Sequence, residues 1–148
     1  MLPVSWPDVV LWIHVLAACV WIGGQITIAM LVPVLRGQPD LLSVAGRRYQ
    51  IAAWFAFAVL IVTGLWNVHN AGISWTNLSA TSAGRTLSVK LLFVALSGVA
   101  AAVHAFVVAP RVRHSSAPAL RALSGILGAG ALLAAFLAAL YGVTIANA

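Results

Sequence analysis

The sequence predicts an all-α fold: an integral membrane four-helix bundle with both termini on the outer side. Three observations predict it. Of 148 residues, 63% are apolar and only 7% charged, where a soluble domain carries roughly a quarter charged residues. Four apolar stretches approach the about 20 residues a helix needs to cross a hydrocarbon core of roughly 30 Å. The cations are also asymmetric. Arg36, Arg47, Arg48, Arg111, Arg113 and Arg121 fall in the connections after the first and third stretches, against Arg85 and Lys90 on the other side. That bias assigns the basic connections to the cytoplasm.

The elements follow in order. The first helix is expected over about 9–35. Its flank carries Asp8 and no Lys or Arg, and its apolar run is about twice the length of a leader's core. A retained helix is therefore expected, not a cleaved leader. The second helix is expected over about 50–67. Its apolar part, 51–66, spans only roughly 24 Å, but Tyr49 and Trp66 bracket it as interface anchors. The third is expected over about 87–109 and the fourth over about 122–145. In the fourth, Gly128, Ala131, Ala135, Ala138 and Gly142 recur every three or four residues, a stripe that lets helix backbones approach closely in lipid. Pro39-Asp40 and Gly46 mark residues 36–48 as a connection. Residues 68–85 form the outer loop and 110–121 the second inner one. Together these make a single domain, 1–148, multi-pass in the cell inner (plasma) membrane.

Some functions are excluded. The net charge of +6 is what loop placement requires, so no nucleic-acid partner is expected. Cys19 is the only cysteine and forms no internal disulfide. No catalytic residues are expected; a reaction on this chain would be that of a haem-dependent membrane oxidoreductase.

Ionisable groups inside a bilayer are costly and mark functional sites by default. His14, Ala18, Trp21 and Gln25 fall on one helical stripe, and Trp12, Cys19, Gly23 and Met30 on another. His14 and Cys19 are about 140° apart round the helix, so they do not share one metal ion. On the third helix, Lys90, Ser97, Ala101 and His104 form a polar seam that Arg111 continues. His14 and His104 differ in depth by roughly 14 Å, too far for one metal or haem iron. His14, His69 and Lys90 can converge at the outer side, with Arg85 joining from the loop. His114, in a basic inner loop, is expected to be solvated.

Two segments resemble a known family. WIHVLAACVWIGGQI, residues 12–26, and TSAGRTLSVKLLFVALSGVAAAVHAFVVAPRVR, residues 81–113, resemble the copper-resistance protein D (CopD) family. RRYQ, residues 47–50, and KLLFVALSG, residues 90–98, are similar to the related HemJ-type membrane proteins, which bind haem b. The chain departs from the latter at Ser88, where they tend to have His, and in having no Glu.

The CopD resemblance implies copper transport or resistance, with copper arriving from the outer side or from a periplasmic carrier. Met1, Met30 and Cys19 are the only sulfurs, too few for a ladder of soft ligands. A histidine site remains: His14, His69 and His104 are its candidate metal ligands. The HemJ-like alternative is a haem b electron-transfer protein with a redox partner. His14, His69, Trp21 and Gln25 would then line the cofactor, and Lys90 and Arg85 would meet its propionates. A third reading is an accessory subunit whose polar residues lock helix packing.

Overall fold

The computed structural model describes residues 3–35, 37–113, 115 and 117–146; Met1, Arg36 and His114 lie outside them. Among the described residues every regular element is helical. Four helices are long and apolar enough to cross a membrane: Trp6–Leu35, Pro39–Asn70, Ser82–Val112 and Pro118–Ile145. The chain divides into two compact units, Met1–Trp75 and Thr76–Ala148, and each is a helical hairpin.

In the first hairpin, α1 (Trp6–Leu35) packs on α2 (Pro39–Asn70). The start of α1 is fixed by Asp8, whose Oδ2 accepts from the Ser5 backbone N–H at 2.9 Å and the Ser5 hydroxyl at 2.6 Å. This satisfies a donor that the helix start would otherwise leave open. Along α1, His14, Ala18, Gly23 and Gln25 are half-buried. Val10, Ala17 and Trp21 are buried, while Trp12, Cys19 and Met30 face outward.

The helix α2 begins at Pro39, well before the expected residue 50. The Pro-Asp pair read as a turn is the first turn of the helix itself. Proline suits that position because no N–H is needed there, and Asp40 complements the positive helix end. Hydropathy detects only the part within lipid. The 32 residues of α2 extend about 48 Å, so its first turns, with Arg47 and Arg48 exposed, project beyond a core of roughly 30 Å. At the other end, Gly72 adopts φ +67° and donates to the His69 carbonyl at 3.1 Å. Glycine takes this left-handed conformation without a steric penalty.

The centre of this hairpin is aromatic. The Trp21 ring lies 4.6 Å from that of Phe57 and 5.9 Å from that of Trp54, centroid to centroid. Tyr49 lies over Gly24, where a Cβ would sit 2.9 Å from the ring atom Cδ2.

In the second hairpin, α3 (Ser82–Ala102) runs through a π-helical segment, Val103–Val108, into the short α4 (Ala109–Arg113); α5 (Pro118–Ala146) returns along it. Thr81 caps α3 by accepting the Gly84 N–H at 3.0 Å. The small-residue stripe is the packing face of α5: Ala131, Ala134, Ala135 and Ala138 are buried. Opposite them on α3, Leu87, Ser97 and Gly98 are buried.

The sequence reading did not foresee the π segment. Its signature is the Ala109 N–H, which donates five residues back to the His104 carbonyl. Pro110 supplies the cause. A proline in a helix lacks an N–H, and its ring presses on the carbonyl four residues earlier. A wider turn just before it relieves that contact. The extra residue wound into the turn also swings Arg111 off the polar seam. Arg111 is exposed, and its Nη1 donates to the Val107 carbonyl at 2.5 Å.

Candidate functional site

His14 is half-buried on the inward face of α1, and its Nδ1 lies 2.8 Å from the Thr63 hydroxyl on α2. The Thr63 Oγ1 is itself 2.6 Å from the Val59 carbonyl. A hydroxyl has one proton, and a carbonyl can only accept. Thr63 therefore donates to Val59 and accepts from His14 Nδ1–H. That tautomer places the lone pair of the ring on Nε2. Gly64 gives the ring its room: a Cβ there would be 3.4 Å from His14 Cε1.

The other residues of the His14 stripe make contacts within the first hairpin. Gln25 Nε2 donates to the Trp21 carbonyl at 3.0 Å, and the Tyr49 hydroxyl donates to the same oxygen at 3.3 Å. Trp21 is in the aromatic core and Ala18 is half-buried beside it. His69 is exposed in the last turn of α2. It stands roughly 120° round that helix from Thr63, so it is not on the face that meets His14.

The second hairpin brings the seam of α3 onto α5. Ser97 Oγ donates to the Ala131 carbonyl at 2.8 Å. His104 Nε2 lies 3.0 Å from the Ser124 hydroxyl, and its ring faces Gly128, where a Cβ would be 3.9 Å from Nδ1. Ser97 and His104 are seven residues apart, as are Ala131 and Ser124, so the antiparallel register is constant over two turns. Extended by seven more residues, it sets Ala138 opposite Lys90. The Lys90 Nζ instead sits where a Cβ on Gly142 would be 3.1 Å away. The ammonium thus leans one turn toward the end of α5, as a lysine in lipid does when it reaches for the interface. Arg85 is exposed, and its Nη1 donates to the Ser79 carbonyl at 3.0 Å.

The two hairpins thus share one device: a histidine on the first helix, a hydroxyl on the second and a glycine under the ring. They differ in which nitrogen is engaged. They also differ in position, since His14 lies far from its hairpin's connection and His104 near its own. Among the described residues no three His, Cys, Asp or Glu side chains gather as a metal cluster. Sequence reasoning missed both hydroxyl partners. Each was visible as a polar residue within or beside an apolar run, but the register that pairs it with a histidine was not.

Residues 43–144 match the family model described as copper resistance protein D. The matched segment holds Thr63, Lys90, His104 and Ser124 and begins after His14. Neither the curated proteins nor the solved structures provide a match.

Proposed function

This chain belongs to the copper resistance protein D family, and we propose that it is a multi-pass membrane protein that moves copper inward from the outer side, with His14 as an intramembrane ligand. One observation carries the assignment of His14: its Nδ1 proton is held by Thr63, whose own proton goes to Val59. Histidines that bind metals commonly donate their other ring N–H to an oxygen, which fixes the tautomer and aims the lone pair. A neutral imidazole suits copper in either oxidation state.

With no group of three His, Cys, Asp or Glu among the described residues, a site on His14 holds copper weakly. Weak holding suits a station that an ion must leave again, since conduction needs entry and release together. The test is copper uptake into proteoliposomes, read as metal content. His14→Gln is expected to lower uptake at least tenfold, and Thr63→Ser to leave it near normal. Normal uptake by a folded His14→Gln protein removes His14 from the copper path.

A further inference from the structure

A furrow of about 530 Å³ opens on the second hairpin beside its connection. Phe106, Val107, Pro110 and Leu120 supply its apolar wall, and Arg111 and Ser115 its polar edge. It lies where the π segment and Pro110 interrupt the regular winding that packs α3 on α5. Phe106 and Val107 are exposed there.

The charge of the second hairpin is one-sided in sequence. The only acidic residues of the chain are Asp8 and Asp40, and both belong to the first hairpin. The second contains Arg85, Lys90, Arg111, Arg113 and Arg121 and neither Asp nor Glu. Arg111 donates to a backbone carbonyl, that of Val107. A guanidinium has five N–H donors in a planar fork that matches phosphate, so that one bond leaves most of its capacity unused. The level is also informative. Arg111 is one residue from the end of the third candidate span, Ser82–Val112, while the apolar wall extends back along the span.

We propose that this furrow binds an anionic phospholipid. Arg111 holds the phosphate, Arg121 adds charge from the start of α5, and an acyl chain lies along Phe106, Val107 and Leu120. Neither half of the furrow alone accounts for the arrangement. A soluble anion has no use for the apolar wall, and a neutral lipid none for the arginines. Basic pockets between membrane helices at the cytoplasmic side hold anionic headgroups by the same chemistry.

The experiment uses the full chain, purified in mild detergent and stripped of lipid. It is then offered phosphatidylglycerol or phosphatidylcholine with identical acyl chains, and native mass spectrometry counts retained lipid. Phosphatidylglycerol is expected to be retained at least fivefold better. Arg111→Gln is expected to bring it down to the phosphatidylcholine level with helix content unchanged. Arg121→Gln, which disturbs no bond to the π segment, is expected to lower the preference about twofold and serves if Arg111→Gln does not fold. Equal retention of both lipids by the unmodified chain overturns the proposal. So does displacement of the lipid by inorganic phosphate at equal concentration, which would mean a soluble-anion site. An undiminished preference in the folded Arg111→Gln protein, or in Arg121→Gln where the former does not fold, overturns it as well.

Discussion

The Nδ1 of His14 and the hydroxyl of Thr63 meet at 2.8 Å across the two helices of the first hairpin. This contact ties a residue before the family-matched segment to one inside it. Substituting Thr63 separates its two roles. Thr63→Val keeps the volume but removes the oxygen that orients the imidazole. Loss of such a supporting bond typically lowers metal affinity about 10–100-fold. Copper uptake at low copper concentration is therefore expected to fall in Thr63→Val and to recover at high concentration, whereas His14→Gln is not rescued. Equal copper dependence of Thr63→Val and the unmodified protein would falsify the orienting role.

His104 and Ser124 are expected to behave differently. Their bond ties α5 to the π segment near the connection. Hydrogen bonds between membrane helices contribute about 1 kcal/mol. Ser124→Ala is thus expected to lower thermal or denaturant stability by roughly that amount while copper uptake continues. Loss of uptake in a folded His104→Gln protein, with His14→Gln retaining it, would move the copper site to the second hairpin.

Orientation is testable by labelling. In a Cys19→Ala background, a cysteine at Ser43, on the first turns of α2, is expected to react with a membrane-impermeant reagent only from the cytoplasmic side. A cysteine at Ala80, in the exposed loop before α3, is expected to react from outside. The reverse pattern rejects outside termini.

The spans were legible because lipid demands long apolar runs, and the inward faces because helical period is a property of sequence. His14 and Trp21, on one stripe by period, meet Thr63 and the aromatic core of the first hairpin. What spacing along one helix cannot give is the register between two helices. Thr63 and Ser124 became partners only once α2 and α5 were laid against their neighbours. The π segment is a different case. Pro110 was read as the edge of a loop, but the helix continues past it to Arg113 by widening the preceding turn. The early start of α2 was hidden because Pro39-Asp40, Gly46 and the Arg47-Arg48 pair break up the apolar run there, and such a mixture in a membrane protein reads as connection.

The adjacent glycines of the Trp-Ile-Gly-Gly stretch give the last prediction, because their surroundings are opposite. A Cβ at Gly23 meets nothing within 4 Å, whereas one at Gly24 falls against the Tyr49 ring, 2.9 Å from Cδ2 and 3.2 Å from Cζ. Contacts this short force something to move. Tyr49 is poorly able to move, because its hydroxyl is bonded to the Trp21 carbonyl, which Gln25 also caps. Overpacking of this kind typically costs about 1–3 kcal/mol. Gly23→Ala removes only backbone freedom from a helix interior, and is expected to be neutral or to stabilise by up to about 1 kcal/mol. Gly24→Ala is expected to destabilise the first hairpin by about 1–3 kcal/mol. Gly24→Ala combined with Tyr49→Leu should recover part of that loss, because the obstructing ring is gone. Denaturant titration of the four proteins in one detergent measures the difference. Equal effects of the two single substitutions would mean that Tyr49 does not lie over Gly24.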